Sequence, residues 1–131
     1  MTNTLDERAL RLLDAKNFAT VATLNPDGSP QTSLVWFRRE GDTIVFTAID
    51  RRQKVRNLRR DPRVSVNVHD RDNPYESLDI RGTAEVTEDP ERSLSKALSH
   101  KYLDEDPPVE PPEVVRVIVR ITPEKVTYFS A

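Results

Sequence analysis

Residues 47–63 read TAIDRRQKVRNLRRDPR, and they join an apolar strand directly to a basic helix. Asp50 followed three residues later by Gln53 is typical of a capping box at a helix start. Asp61-Pro62 ends the helix after about three turns, because the residue before a proline disfavours helical geometry. The stretch therefore predicts a strand that leads straight into the N-terminus of a short helix.

Positive charge is concentrated on this helix. Between Arg51 and Arg63 there are seven basic residues and one acidic residue, so this window carries +6 and the rest of the chain −8. Val55 and Leu58 share the inward face of the helix. Four arginines at helical spacing form an outward stripe: Arg52, Arg56, Arg59 and Arg63. This asymmetry favours an anionic partner, and the alternative is a solvated basic helix without a ligand.

The start of the helix is where an anion would bind. Free backbone N–H groups and the helix dipole favour negative charge at that end. Arg52, Gln53 and Lys54 are therefore candidate ligands for a phosphate group. If Asp50 caps the helix, however, its carboxylate occupies the position that a phosphate would take.

The composition indicates one domain, spanning residues 1–131. Only 36% of the residues are hydrophobic and 32% are charged, which predicts a thin core and favours burial against a second copy, so we expect a homodimer. The absence of cysteine excludes disulfides and thiolate chemistry. Because no signal peptide or membrane-spanning apolar run is visible, we expect a cytoplasmic protein.

Other kinds of site find little support in the sequence. His69 and His100 lack a second ligand at helical spacing, so no metal site is predicted. The chain has three glycines and no glycine-rich phosphate loop. No serine lies in a nucleophile elbow, and the carboxylates lie in loops where they are solvated. The sequence therefore identifies no catalytic acid, base or nucleophile.

Turn signals divide the part of the chain before the basic helix. A capping box at residues 4–7 opens an amphipathic helix over about residues 5–16. Strands at 18–24 and 30–38 form a hairpin around the turn Asn25–Gly28. A second turn, Glu40–Asp42, leads to the strand 43–49.

Alternating apolar residues mark the strands after the helix. They predict a strand at 64–69 and a longer one at 78–86, in which Gly82 indicates a bend or bulge. Pro90 opens an amphipathic helix that runs to about Leu103. Residues 104–112 contain four prolines and four acids and are predicted to form an irregular acidic loop. Two further strands are predicted at 114–121 and 125–129.

Hairpin-linked strands with few helices predict a mainly β antiparallel barrel with flanking helices. In Leu34–Phe37 and Ile44–Phe46 apolar residues occupy both faces of a strand. One face of each is expected to meet the core, and the other a partner subunit or a flat apolar ligand. A cleft at a dimer interface would satisfy both.

Two motifs in this order resemble the split-barrel flavin-binding family typified by pyridoxamine 5′-phosphate oxidase. They are Leu24-x-Pro26-Asp27-Gly28-x-Pro30 and Lys54-x-x-Asn57-Leu58-Arg59-Arg60-Asp61-Pro62-Arg63. The resemblance runs from Phe18 to Phe129 and is greatest to the actinobacterial branch that uses the deazaflavin coenzyme F420. It implies a six-stranded antiparallel split barrel of the FMN-binding type.

The resemblance also implies a cofactor site at the dimer interface. The ring system would be lined by two neighbouring strands, through Ser33, Val35, Trp36, Thr47, Ala48 and Ile49. The phosphate or anionic tail would be held by Arg52, Gln53, Lys54 and Asn57. An aromatic residue of the partner chain, Tyr75, would help to close the pocket.

Departures from the family pattern favour coenzyme F420 over FMN. The FMN-using pyridoxamine oxidases carry an arginine where this chain has Ser33 and a lysine where it has Arg38, and they end with basic residues that are absent after Tyr128. The implied activity is an F420-dependent reductase that transfers hydride to a small unsaturated or quinone-like substrate. The alternatives are an FMN- or haem-binding member of the same fold and a non-enzymatic anion or nucleic-acid binder that uses the Arg51–Arg63 helix.

Overall fold

Seven antiparallel strands and three helices make up the computed structural model, which describes residues 5–131. The strands form one sheet in the order β2-β1-β5-β6-β7-β4-β3. Their bounds are β1 Ala19–Leu24, β2 Pro30–Val35, β3 Arg38–Glu40, β4 Thr43–Ile49, β5 Arg63–Asp70, β6 Asn73–Glu88 and β7 Arg116–Ser130. The helices are α1 Glu7–Asp14, α2 Gln53–Arg60 and α3 Ser93–Leu103. The predicted mainly β split-barrel class with flanking helices is confirmed.

The structure has seven strands, as many as the segments predicted from the local signals and one more than the six that the resemblance implies. The number is unchanged although one predicted strand is broken, because two others are fused. Residues 30–38 divide into β2 and β3 at Trp36 and Phe37. Phe37 is fully buried, and its backbone carbonyl accepts a hydrogen bond from Lys101 Nζ at 2.8 Å. Tertiary contacts with α3 therefore hold the backbone away from a continuous ladder.

The two predicted C-terminal strands form one strand, β7, which passes through Pro123. Pro123 lies opposite Gly82, where the register between β6 and β7 shifts. The predicted irregularity at Gly82 is thus confirmed. Because a bulge leaves one residue outside the regular ladder, the missing N–H of proline is tolerated there.

The main core lies between the sheet, α1 and α2. It includes Leu12 and Leu13 from α1, Val55 and Leu58 from α2, and Phe46 from β4. At the start of α1 the Asp6 side chain accepts the Ala9 N–H at 3.0 Å. The predicted first cap residue, Thr4, lies outside the described residues.

A smaller apolar cluster covers the second face of β4. Val45 packs with Leu94 and Leu98 of α3, and Trp36 lies against the same cluster. The expectation that this face of Ile44–Phe46 meets a partner or a ligand is therefore wrong. Helix α3 starts at Ser93 rather than Pro90, because the buried Asp89 carboxylate accepts the N–H groups of Ser93 and Leu94.

The acidic proline-rich stretch after α3 is irregular in structure, as predicted. Within this stretch Glu110 pairs with both Arg92 and Arg116. Among the helices within residues 5–131, none has the length and apolar character needed to cross a membrane.

Candidate functional site

A cleft of about 410 Å³ opens where β4 runs into α2. Its walls come from β2, the end of β4, the first turn of α2 and the start of β7. The lining residues are Gln31, Ser33, Thr47, Ala48, Ile49, Arg52, Gln53, Lys54 and Arg116. Seven of the eleven residues predicted for the cofactor site are therefore brought together in one cleft.

Sheet pairing explains why Arg116 joins this group. Strands β4 and β7 are antiparallel neighbours, and their register places Ile49 opposite Arg116. The side chains of directly opposed residues lie on the same face of a sheet. The first residue of β7 therefore adds a guanidinium to the wall formed by the end of β4.

The N-terminus of α2 carries no side-chain cap. Arg52 is the N-cap residue, and its carbonyl accepts the N–H groups of both Val55 and Arg56 at 3.1 Å. The N–H groups of Gln53 and Lys54 precede these first helical bonds, at positions where a helix lacks internal acceptors. An anion in the cleft would find these two donors directed towards it.

Asp50 does not cap α2, which corrects the predicted capping box. Its carboxylate instead forms an ion pair with Arg59, which lies in the last turn of α2. The helix contains eight residues, about two turns rather than three. The position that an Asp50 cap would have filled is consequently left to a ligand.

Asn57 is not among the residues that line the cleft, and its predicted contact with the anion stays a prediction. It is fully buried, and its amide donates to Thr23 Oγ1 at 3.0 Å and to Asn25 Oδ1 at 2.9 Å. Its carbonyl oxygen accepts from Gln53 Nε2 at 2.8 Å. Asn57 therefore fixes the side chain of Gln53 from below.

The same polar network continues to β2. Thr23 Oγ1 donates to Gln31 Oε1 at 3.2 Å, and Gln31 Nε2 donates to Ser33 Oγ at 3.3 Å. Hydrogen bonds thus run from the first turn of α2 through Asn57 to the opposite wall of the cleft. A connected network of this kind holds its side chains in fixed orientations.

Three cationic side chains line the cleft, namely Arg52, Lys54 and Arg116. None of the described lining residues is acidic. Burial lowers the pKa of Lys54, and the neighbouring charges of Arg52 and Arg116 lower it further. Mutual repulsion among these cations would be relieved by a bound anion. The electrostatics thus favour a ligand with at least one negative group.

Thr47 supplies an unsatisfied polar atom in the cleft wall. Its Oγ1 is buried, and no hydrogen-bond partner is found for it within the described part of the chain. Buried hydroxyl groups in folded proteins nearly always have a partner. Thr47 Oγ1 is therefore available to a polar group of a ligand.

Val35 and Trp36 lie outside this cleft. Val35 packs against the main core. The Trp36 ring stacks on Tyr102 with a centroid distance of 5.1 Å and an interplanar angle of 5°. Both side chains take part in internal packing, and their predicted contact with a ring system stays a prediction.

Tyr75 is 64% exposed at the start of β6 and is not part of the cleft of its own chain. Its predicted role concerns the pocket of a partner chain and stays a prediction. Gln31 and Arg116 are lining residues that the sequence analysis missed. The two-residue spacing between Gln31 and Ser33 indicates a shared face, but nothing in the sequence shows that β7 pairs with β4.

The outward arginine stripe is partly engaged within the chain. Arg59 pairs with Asp50, Arg63 pairs with Asp61 at 2.7 Å, and Arg56 donates to Gln53 Oε1. Only Arg52 of the four predicted stripe residues lines the cleft. The cationic character of the cleft therefore depends on Arg52, Lys54 and Arg116 rather than on the whole stripe.

A second cavity, of about 350 Å³, lies among β1, β5, β6 and β7. Its charged lining residues are of both signs, namely Arg63, Arg81 and Glu124. It thus lacks the uniform positive charge of the cleft at α2. Within residues 5–131, no three His, Cys, Asp or Glu side chains are grouped so that they could hold a metal ion.

This chain matches one protein family over nearly its whole length, and solved structures share its fold. The family model described as pyridoxamine 5′-phosphate oxidase matches residues 5–130. A solved structure described as an F420 reductase is 37% identical, covers 89% of this chain and 94% of its own, and has a TM-score of 0.80. A conserved hypothetical protein from Mycobacterium tuberculosis is 25% identical over 97% of this chain and 86% of its own, with a TM-score of 0.78. A putative pyridoxamine 5′-phosphate oxidase from Listeria innocua shares the fold, at 23% identity over 98% of this chain and all of its own and a TM-score of 0.77.

Proposed function

Because this chain belongs to the pyridoxamine 5′-phosphate oxidase family, we propose that it is an oxidoreductase that binds coenzyme F420 in the cleft at the start of α2. The observation that carries the proposal is the group of three cations around an uncapped helix N-terminus. The 37% identity to a protein described as an F420 reductase supports the choice of cofactor. The reaction proposed is hydride transfer to a small unsaturated or quinone-like substrate.

The charges of the cleft match the anionic part of this coenzyme. Coenzyme F420 carries a phosphate and a tail of carboxylates, so its affinity would depend on several cations. The N–H groups of Gln53 and Lys54 would receive the phosphate, and Arg52 and Lys54 would neutralise it. Arg116, at the start of β7, would be free to meet a further negative group if its present partner were released.

The deazaflavin supplies the hydride chemistry when it is bound, so the chain needs to bind, orient and shield it. Ala48 and Ile49 offer a small apolar surface beside the polar end of the cleft. Thr47 Oγ1 would give an edge of the ring a hydrogen bond. Ser33, held by Gln31, would fix the same edge from β2.

A second copy of the chain would complete the pocket. The lining of the single-chain cleft is mainly polar, and a flat ring needs apolar cover on its exposed face. Leu34, Tyr75 and Phe129 are more than half exposed and would find burial in a dimer. In this proposal Tyr75 of one copy covers the cleft of the other.

A titration with F420 and with FMN tests the choice of cofactor. We expect F420 to bind the wild-type chain at micromolar affinity or better and Lys54→Ala to weaken that binding by about tenfold or more, because a charge-assisted contact is lost. Lys96→Ala is the matched control. Lys96 is an exposed lysine of α3 outside the cleft, and its removal is expected to change affinity less than about twofold.

The outcomes separate the alternatives. Equal loss of affinity in the two lysine variants would show that Lys54 has no special part in binding. Tighter binding of FMN than of F420, with a yellow protein after purification, would favour the FMN-binding alternative. DNA binding that falls steeply with salt, without binding of either coenzyme, would favour the nucleic-acid alternative.

A further inference from the structure

Arg116 both lines the cleft and forms an ion pair with Glu110. It lines the cationic cleft beside Arg52 and Lys54. Its guanidinium is also bound by Glu110 through two parallel hydrogen bonds, Nε to Oε1 at 2.9 Å and Nη2 to Oε2 at 2.7 Å. Both side chains are 20% exposed, so the pair is shielded from most of the solvent.

Glu110 is fixed by a second arginine. Arg92 Nε donates to Glu110 Oε1 at 3.2 Å, and Arg92 Nη2 donates to the Val114 carbonyl at 2.7 Å. Arg92 immediately precedes α3 and is therefore attached to the body of the domain. The carboxylate is thus held by Arg92 as well as by Arg116.

Besides Glu110, the acidic segment is attached to α3 at two points: Ser99 Oγ donates to the Glu105 carbonyl at 2.6 Å, and the His100 ring contacts the Asp106 carboxylate at 2.7 Å. Residues 104–112 have no regular structure, and four of them are prolines without an N–H group. Just after the segment, the Val114 N–H bonds the Pro111 carbonyl at 3.1 Å. The ion pairs of Glu110 are therefore prominent among the contacts that fix this segment to the domain.

The charge of Arg116 reaches the cleft despite its partner. Arg116 contributes to the lowered pKa of Lys54, after burial and Arg52. An anion next to Lys54 would consequently also attract Arg116. Glu110 occupies the Nε/Nη2 edge of the Arg116 guanidinium and offsets its positive charge, so an anion in the cleft and Glu110 would compete for that charge.

We infer that Glu110 is an internal competitor for the acidic groups of the ligand and that the Glu110–Arg116 pair sets how much negative charge a ligand must carry. A ligand with one phosphate uses Arg52, Lys54 and the start of α2. A ligand with additional acidic groups also draws Arg116 away from Glu110. This inference rests on the proposed function only in placing the ligand in the cleft; it does not depend on which anionic coenzyme binds there.

The test is a calorimetric titration of the full chain with inorganic pyrophosphate and, separately, with F420. We expect Glu110→Gln to tighten binding of both ligands by about five- to tenfold, because the competing charge is removed while the side chain keeps its shape. Glu113→Gln is the control. Glu113 is an exposed acid of the neighbouring residues, without an ion pair in the described part of the chain, and its loss is expected to change affinity less than twofold or so.

Unchanged or weaker pyrophosphate binding in Glu110→Gln would overturn the inference and would show that Glu110 merely supports Arg116. Failure of pyrophosphate to bind either chain would overturn it as well. If F420 binds none of the chains while pyrophosphate binds Glu110→Gln more tightly, the proposed coenzyme is wrong and the competition is upheld.

Hydrogen exchange on the wild-type chain provides a measurement that needs no variant. Pyrophosphate is expected to speed the exchange of the amides between Val109 and Val115, because Glu110 loses one of its two partners. Slower or unchanged exchange in this segment, with pyrophosphate bound, would contradict the inference. The exchange measurement still tests the inference if Glu110→Gln fails to fold because Arg92 and Arg116 have lost their partner.

Discussion

Asn57 shows how a single side chain connects the core to the candidate site. It has the position of a ligand in the family motif, yet it is fully buried and bonds Thr23, Asn25 and Gln53. Its contribution to binding would pass through Gln53. At this scale the sequence predicted which residues gather at the start of α2 and could not predict which of them face the ligand.

Asn57→Ala tests this positioning role. We expect the free energy of unfolding to fall by about 1–3 kcal/mol, because the substitution leaves buried partners without their hydrogen bonds. Urea denaturation measures the effect. Thr127→Ala removes an exposed polar side chain of β7 and is expected to cost less than about 0.5 kcal/mol. Equal effects of the two substitutions would refute the structural importance of the network.

Lys101 predicts a pH dependence of stability. Burial lowers its pKa to about 8, and its Nζ donates to the Phe37 carbonyl. Since the ordinary pKa is 10.5, the unfolded chain binds more protons than the folded one between about pH 8 and 10.5. The contribution of this group to the free energy of unfolding therefore rises as the pH increases through that window.

Urea denaturation at pH 7.5 and at pH 10 measures this contribution. Other groups titrate in the same range, so the informative quantity is the difference between wild type and Lys101→Met. We expect the stability of wild type relative to that variant to increase at the higher pH. A difference that does not change with pH would contradict the assigned shift.

At the scale of elements, local signals predicted most of the strands and missed two boundaries. The Asn25–Gly28 turn and the apolar alternation from Val64 to Val86 were sufficient to place β1, β2, β5 and β6. The break at Phe37 and the passage of β7 through Pro123 depend on contacts with residues far along the chain. A single sequence carries no local mark of those contacts.

The capping of α2 is a further case in which tertiary structure overrides a local pattern. Asp50 and Gln53 have the spacing of a capping box, but Asp50 forms an ion pair with Arg59 instead. Its backbone N–H also bonds the Val115 carbonyl at 2.9 Å, which fixes it in the sheet. The local motif therefore predicted the wrong cap for the N-terminus of α2, the end that lines the cleft.

Gly82→Ala tests the bulge between β6 and β7. An added Cβ would lie 2.2 Å from the Thr122 carbonyl oxygen, so the backbone of one strand must shift. We expect a loss of about 1–3 kcal/mol in the free energy of unfolding, the usual cost of overpacking. Thr127→Ala, at an exposed position of β7, is the control for urea denaturation. An unchanged stability in Gly82→Ala would mean that the strands separate easily there.

For the whole molecule, the predicted homodimer is the feature on which the complete pocket depends. The single chain supplies a polar cleft with limited apolar surface, and its exposed aromatic residues lie elsewhere. The thin core predicted from composition is reinforced by α3, which covers part of β4. Because α3 covers this face of β4, a partner chain is not needed to bury it. The remaining argument for a second copy is the exposure of Leu34, Tyr75 and Phe129.

Tyr75→Ala tests the contribution of a second copy. We expect wild type to sediment as a dimer and the variant to keep that mass while losing about three- to tenfold in F420 affinity, because aromatic cover is removed. Arg81→Ala, at another exposed position of β6, is expected to bind F420 as wild type does. A monomeric wild type that binds F420 with full affinity would eliminate the shared pocket.

The pairing of β4 with β7 has a consequence for synthesis on the ribosome. Ile49 and Arg116 lie opposite each other in the sheet, although they are 67 positions apart along the chain. Contacts between such distant segments form late, because a long loop must close first. A nascent polypeptide that has not yet released β7 into solution therefore has the start of α2 but only part of the wall around it. Any ligand that needs Arg116 would therefore bind only after β7 has been translated.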